Sequence, residues 1–396
     1  MSSTAFEHPG FLRAEKLEYG GKVYGDWADI LKITIDSDTK RCKVLGSGTF
    51  GVVYLGELRH FSGTPTVFRP VAVKVQHPCY LPDTMLIEEY RFLKLLAGKN
   101  NVIELLMHIF DAERKILQFV FPFFEETPFR SLVIDATEDE VLFYMHTLLT
   151  ALDWLHFHNI VHRDVKNGNF LFNRRTKTGK LIDLGCAVYM NELTEGCTRD
   201  PKLSGDYTIA PRLFYNTSSC IQPMPIGRLT HSYDTEQNAQ FKLPYKRLRG
   251  TRGYKPLETL IESDLISSAI DIYAAGCIMI LLLLRKESFF IQNSDAEGIM
   301  EMCFLYGANR VSQVALNLGK KLTIKMINYA SLETEMQELS HIKEADIFGR
   351  LRVSSDPNSF SPETFKFLST LLTLSPTKRI SAANSLKHPF FKELRK

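Results

Sequence analysis

Gly46-Ser47-Gly48-Thr49-Phe50-Gly51-Val52-Val53 is the stretch that most limits what this chain can become. Glycines at GxGxxG spacing let a backbone turn sharply and bring its N–H groups close to phosphate oxygens. The same spacing opens the strand-to-helix turn of dinucleotide-binding folds, so the flanks decide. Here both flanks are strand-like, with Cys42-Lys43-Val44-Leu45 before the run and Val52-Val53-Tyr54-Leu55 ending it. That predicts a hairpin. A further run, Val71-Ala72-Val73-Lys74-Val75, extends the hairpin to an antiparallel sheet, and Leu117 to Phe121 reads as another buried strand. Met85 to Leu96 reads as a helix, because Leu86, Tyr90, Leu93 and Ala97 recur at three- and four-residue steps.

Beyond Pro122 the pattern turns predominantly helical. The apolar run AAGCIMILLLL from Ala274 to Leu284 lies between Asp271 and Arg285-Lys286. A membrane span needs about twenty residues, so this shorter run predicts a buried core helix. The expected fold class is α+β: a small antiparallel β-rich lobe with one helix at 41–121, then a larger, mainly helical lobe at 122–396, with the chemistry between them. Residues 1–40 form an N-terminal extension in which Gly25 to Leu31 is a candidate short helix. Residues 186–249 are polar, proline-bearing and rich in Ser and Thr, far longer than a connection needs. They predict a long, partly flexible insertion, and 320–360 a second irregular region.

Composition removes several function classes. With 44% hydrophobic and 23% charged residues the chain has a soluble globular composition. A net charge of +3 is too small to argue for direct nucleic-acid or membrane-surface binding. The seven cysteines are scattered, odd in number and never CxxC, which favours reduced thiols over disulfides or a structural zinc site. No basic start followed by an apolar stretch marks a signal peptide.

The chemistry sits in His162-Arg163-Asp164-Val165-Lys166-Asn167-Gly168-Asn169 and then Asp183-Leu184-Gly185. The order and spacing match the catalytic loop and metal-binding turn of protein kinases. Phosphoryl transfer needs a base to orient the attacking hydroxyl and oxygen ligands for magnesium on the ATP phosphates. Asp164 suits the first task; Asn169 and Asp183 suit the second. Lys166 would neutralise charge on the transferred group, and a lysine there is typical of serine/threonine kinases. Lys74 is the expected phosphate lysine, with Glu89 as its ion-pair partner and Glu88 as the adjacent alternative. His156, His158 and His162 read as structural.

From about residue 41 to residue 393 the chain resembles eukaryotic protein kinases. The resemblance implies a bilobal kinase fold using ATP and Mg2+. Nucleotide contacts would come from Gly46, Ser47, Gly48, Thr49, Phe50, Gly51, Val53, Ala72, Lys74 and Glu89, with adenine at the Pro122 carbonyl and the Phe124 backbone. Leu184 replaces the usual phenylalanine of the metal-binding turn and keeps its packing role. Pro256-Leu257-Glu258 stands where APE is usual, with Arg379 as the expected buried partner of Glu258. Asp271 should brace the catalytic loop through backbone hydrogen bonds.

Within that superfamily the chain is most similar to the cell division cycle seven family, the Dbf-four-dependent kinases that trigger replication origins. Gly98-Lys99-Asn100-Asn101-Val102, the placement of the insertion before Gly250-Thr251-Arg252-Gly253-Tyr254, and Ser288-Phe289-Phe290 with Leu318-Gly319-Lys320 carry this narrower likeness. It implies a Dbf-four-type regulatory subunit, the minichromosome maintenance helicase among the substrates, and a nuclear rather than cytoplasmic location. Lys246, Arg247, Arg249, Arg252 and Lys255 would place positive charge beside the phosphoacceptor and favour acidic neighbours. Residues 236–250 offer no Ser or Thr, so activation is expected to depend on a bound protein more than on phosphorylation there. The competing readings are an acidophilic casein-kinase-like enzyme and a pseudokinase scaffold. Arg174-Arg175-Thr176-Lys177 reads as a hairpin turn more than as an import signal.

Overall fold

The computed structural model describes residues 17–19, 22–24, 31–34, 42–48, 51–60, 67–76, 83–111, 116–194, 207–212, 226–230, 250–324 and 360–395. The chain divides into two compact units, one of residues 1–126 and 182–185, the other of 127–181 and 186–396.

In the first unit, β1 (Leu17–Tyr19) and β2 (Lys22–Tyr24) form a small antiparallel pair. The main sheet contains β3 (Leu31–Ile33), β4 (Val44–Gly48), β5 (Gly51–His60) and β6 (Val67–Gln76). After α1 (Asp83–Leu96) come β7 (Met107–Asp111) and β8 (Ile116–Pro122). The order is β3-β5-β6-β8-β7, with β4 also beside β5, and every pair is antiparallel. The glycine run therefore closes a β4–β5 hairpin, as its flanks predict. Residues 25–30 of the candidate short helix lie outside the described residues, and Leu31 opens β3.

Strand alternation sorts β6 into two faces. Val71 and Val73 enter a core with Leu31, Leu58, Met107, Ile109 and Val120. Ala72, Lys74 and Gln76 take the opposite face. On α1 the buried side is Glu89, Phe92, Leu93 and Leu96. Ala97, expected in the apolar stripe, lies one residue past the helix, exposed, with a left-handed φ of 48°.

The second unit opens with α2 (Phe129–Asp135) and α3 (Glu138–Phe157). A reciprocal Thr137–Glu140 capping box starts α3 by satisfying two of its free amide groups. Then follow β9 (Ile160–Val161), β10 (Phe170–Asn173), β11 (Thr178–Leu181), β12 (Val188–Tyr189) and α4 (Met190–Thr194). The strands pair as β10 with β11 and β9 with β12, so the catalytic loop is held between short ladders.

β13 (Tyr207–Arg212) and β14 (Ile226–Thr230) come next, then α5 (Leu257–Leu260), α6 (Ala269–Leu284), α7 (Asp295–Tyr306), α8 (Ala308–Asn317) and β15 (Leu322–Ile324). The last α-helices among the described residues are α9 (Pro362–Leu371) and α10 (Ala382–Ser385). Every side chain of α6 from Ile270 to Leu283 is buried, Gly276 leaving no side chain to place. A Cβ at Gly276 would meet Leu372 Cδ2 at 2.7 Å, so that glycine sets how closely α6 and the end of α9 approach. Among the described residues no helix is long and apolar enough to cross a membrane.

The expected insertion at 186–249 is not wholly irregular. β13 pairs antiparallel with β14 and parallel with β15, giving a three-stranded sheet. Residues 195–206, 213–225 and 231–249, and 325–359 of the second irregular region, lie outside the described residues. A sheet with one long helix in the first unit and mostly helices in the second make up the expected α+β class.

Candidate active site

In the first unit the glycine run presents backbone rather than side chains. Gly46, Ser47 and Gly48 face Val53, Val52 and Gly51 across the hairpin; Thr49 and Phe50 lie outside the described residues. Around Gly46 and Gly48 a Cβ would find open space, leaving backbone accessible to a phosphate. Gly51 is glycine for a packing reason, since a Cβ there would fall 2.2 Å from the Val75 carbonyl oxygen. Val53 and Ala72 are half-buried on neighbouring strands.

Lys74 carries the electrostatics of this unit. Its Nζ donates to Glu89 Oε1 at 2.8 Å and to Asp183 Oδ1 at 2.7 Å. Burial by itself would lower the ammonium pKa, but the Asp183 and Glu89 carboxylates outweigh it and hold Lys74 above the ordinary lysine range. Glu89, two per cent exposed, is the partner; neighbouring Glu88 is only half-buried. Asp183 has a left-handed φ of 60°, and buried Leu184 anchors the turn beside it.

At the end of β8, the Phe123 N–H donates to the Pro70 carbonyl at 3.2 Å. Strand alternation then turns the Pro122 carbonyl and the Phe124 N–H toward the opposite edge. Strand β7 pairs that edge only as far as Val120. Those two backbone groups have the donor–acceptor pattern an adenine edge requires.

In the second unit Asp271, in the first turn of α6, holds the catalytic loop. Its Oδ2 accepts the His162 N–H at 2.9 Å, its Oδ1 accepts the Arg163 N–H at 2.8 Å, and His156 Nε2 lies 2.9 Å from Oδ2. Although burial opposes ionisation, the hydrogen bonds and charge from His156 and His162 keep the Asp271 carboxyl below its ordinary pKa. His158 Nδ1 is 2.8 Å from the Trp154 carbonyl, so both residues of the HxH pair serve structure.

Asp164 is satisfied from three sides. Its Oδ2 accepts Lys166 Nζ at 2.7 Å and Asn169 Nδ2 at 3.1 Å, and its Oδ1 accepts the Thr251 hydroxyl at 2.6 Å. Lys166 Nζ also donates to Thr251 Oγ1 at 3.0 Å. An alcohol oxygen thus donates to the carboxylate while accepting from the ammonium. Asn169 Nδ2 also donates to the Asp164 carbonyl at 2.8 Å, which leaves its side-chain oxygen as the end suited to a hard cation. Asn169 in this unit and Asp183 in the first each offer a side-chain oxygen, the donor type that magnesium takes. No cluster of three or more His, Cys, Asp or Glu side chains suited to a metal occurs among the described residues.

Two groups escaped the sequence reading. Thr251 gave only the motif signal of Gly250-Thr251, with nothing to indicate its bonds to Asp164 and Lys166. Gln292 gave none: it is buried, accepts the Gly253 N–H at 2.8 Å and donates to the Lys255 carbonyl at 3.2 Å. Tyr254 OH donates to Asn167 Oδ1 at 2.8 Å, tying the same segment to the catalytic loop. Of the basic residues expected beside the phosphoacceptor, Arg252 is exposed and Lys255 Nζ lies 3.4 Å from Asp295 Oδ1. Lys246, Arg247 and Arg249 lie outside the described residues.

Gln292 is supported by Glu301 on α7, whose Oε1 accepts the N–H groups of Ile291 at 2.9 Å and Gln292 at 3.2 Å. Burial raises the Glu301 pKa; the two backbone donors act against that shift, and Glu297 adds to it. A carboxyl raised on folding contributes its stability below the unfolded pKa and loses it as pH rises through the folded one. Glu301→Gln retains an acceptor for both N–H groups and removes the ionisation. Its melting temperature relative to wild type should therefore rise between about pH 4 and about pH 8. A pH-independent difference in thermal scans would contradict this assignment.

Arg379 and Glu258 form the expected buried pair, with contacts of 2.6 and 3.3 Å. The basic turn at 174–177 is committed to its own unit. Arg174 Nε lies 2.6 Å from Glu140 Oε1, and Lys177 pairs with Asp139.

A family model described as the protein kinase domain matches residues 39–220 and 230–391. The chain is 32% identical to the probable cell division control protein 7 homolog 2 of Encephalitozoon cuniculi, over 89% of this chain and 91% of that protein. It is 27% identical to the cell cycle protein kinase spo4 of Schizosaccharomyces pombe, over 90% of this chain and 86% of the relative. The cell cycle serine/threonine-protein kinase hsk1 of the same yeast is also 27% identical, with 96% and 69% covered.

Proposed function

The chain belongs to the protein kinase family, and from that premise we propose that it promotes the start of DNA replication by phosphorylating proteins at acid-flanked Ser or Thr. It is an ATP-dependent serine/threonine kinase of the cell division cycle seven type, acting in cell-cycle control, and it uses a divalent metal. We assign that metal as magnesium, held by Asn169 and Asp183.

The observation that carries the chemistry is the alcohol of Thr251 between Asp164 and Lys166. A substrate serine presented in the same way would give its O–H proton to Asp164 as its oxygen bonds to the γ-phosphorus of ATP and the bond from that phosphorus to the bridging oxygen breaks, ADP leaving. Lys166 would face the charge on the transferred group, while Lys74 takes a nucleotide phosphate oxygen. A metal held there would neutralise charge on the phosphates. Lys74, Asp164, Asn169 and Asp183 are all present, which disfavours a pseudokinase scaffold.

Exposed Arg252 beside Thr251 supports acid direction, although Lys255 is partly engaged by Asp295. The absence of Ser and Thr from 236–250 supports activation by a Dbf-four-type subunit. The minichromosome maintenance helicase is the proposed substrate and the nucleus the proposed location.

The test measures phosphate transfer from magnesium-ATP to serine peptides with acidic or neutral residues after the serine, with and without such a subunit. Acid preference together with subunit dependence is the expected result. Acid preference at full rate without a subunit would favour the casein-kinase-like alternative, and indifference to acid would end the acid-directed reading.

A further inference from the structure

We propose that Gln76 is a positioning residue that locks Glu89 onto Lys74, an inference that rests on the kinase reading of this site. Gln76 is fully buried at the end of β6, on the same face as Lys74 because strand side chains alternate with a period of two. Its Nε2 donates to Glu89 Oε2 at 2.7 Å, while Lys74 Nζ donates to Glu89 Oε1 at 2.8 Å. The two carboxylate oxygens are thereby divided between two donors on one strand.

A carboxylate held at only one oxygen can rotate about that contact and swing with its helix. Held at both, it has its plane and distance set by β6. Lys74 in turn reaches Asp183 Oδ1 at 2.7 Å, so the orientation of Glu89 fixes an ammonium shared with the metal-binding turn. Gly185 provides no substitute donor on a side chain, although a Cβ there would stand 3.4 Å from Glu89 Oε2.

The amide is costly in this place. Gln76 Oε1 is buried and has no hydrogen-bond partner among the described residues, so one end of the side chain goes unsatisfied. An apolar residue of similar size would fill the space without that orphan oxygen. The amide's gain is its bond to Glu89, and locking the Lys–Glu pair is a requirement of kinase activity.

The test is a double-mutant cycle on the full chain, combining Gln76→Leu with Glu89→Met, with an activating subunit present if transfer requires one. Gln76→Met, unbranched and without a donor, replaces Gln76→Leu should the latter fail to fold. We measure kcat/KM for ATP, KM for peptide, displacement of a fluorescent ATP analogue and the melting temperature. Gln76→Leu should lower kcat/KM for ATP about tenfold and weaken analogue binding, with peptide KM changed less than about twofold. In the Glu89→Met background the same substitution should change either readout less than about twofold.

An equal loss in both backgrounds would overturn the proposal, as would no loss with Glu89 intact. Asp164→Asn is assayed alongside. Absent wild-type transfer would count against the kinase reading, whereas the analogue-binding arm still reports on Gln76 and Glu89.

Discussion

Asp164→Asn should lower phosphoryl transfer by about 10²- to 10⁴-fold, the range that a positioned general base contributes. The substitution is nearly isosteric, so the loop should keep its shape through the two N–H bonds to Asp271. What changes is the acceptor set. Asp164 uses Oδ2 for Lys166 and Asn169 and Oδ1 for the Thr251 hydroxyl. An asparagine turns an NH2 toward one of those donors and cannot take up the proton of the attacking alcohol. The proposed phosphate contacts Gly46 and Lys74, with Glu89 behind Lys74, belong to the other unit, so ATP-analogue affinity should stay within about threefold. Initial rates with magnesium-ATP and a serine peptide, paired with analogue binding, check both halves. A variant within tenfold of wild-type turnover would remove Asp164 from the base role.

Arg379→Met should produce the largest loss of stability. The Arg379 and Glu258 side chains are both fully inaccessible, at 0% exposure each. The guanidinium also donates to three backbone carbonyls: Ala269 at 2.8 Å, Thr373 at 2.8 Å and Leu374 at 3.1 Å. Removing the cation leaves a buried carboxylate without its charge partner and takes one donor from each of three carbonyls. Breaking one side of such a pair costs about 3–5 kcal/mol. At about 2–4 °C per kcal/mol for a unit of this size, the melting temperature should fall by roughly 10 °C. Glu258→Gln together with Arg379→Met should recover part of the loss, because no lone charge remains buried. Scanning calorimetry decides: a fall of less than about 3 °C, or no recovery in the pair, would show that the ion pair is not what holds this corner.

The legible parts of this protein were those whose partners lie nearby in sequence or whose spacing repeats. Short β-branched runs revealed β5 and β6, an apolar run revealed β8, and the length of the apolar run at 274–284 distinguished α6 from a membrane span. The order of Asp164, Lys166, Asn169 and Asp183 disclosed the reaction class by itself. Choosing Glu89 over Glu88 required the rotation of α1, because adjacent helix positions point about a quarter-turn apart. Ala97 falls outside the stripe because the helix ends at Leu96 and Ala97 turns left-handed. Gln292 and Thr251 were illegible because their partners are remote: Gln292 meets Gly253 thirty-nine positions away, and Thr251 meets Asp164 across eighty-seven. β13 and β14 stayed hidden because short β-branched pairs such as Thr208-Ile209 sit in a polar, proline-bearing stretch. β13's parallel partner β15 comes from beyond four intervening helices.

The alternation along β6 has a bearing on how such a chain can vary in length. Val71 and Val73 face the core, while Ala72, Lys74 and Gln76 face the other way, so every member of the second group depends on parity. Adding or deleting one residue within the strand would exchange the two groups and drive an ammonium and an amide into the apolar layer. A change of two residues keeps the faces but moves Lys74 by one full strand repeat, about 7 Å, away from Glu89. Neither kind of change is open to this strand. Insertions and deletions around β6 are therefore confined to the joints at its two ends, where neither parity nor distance is being counted.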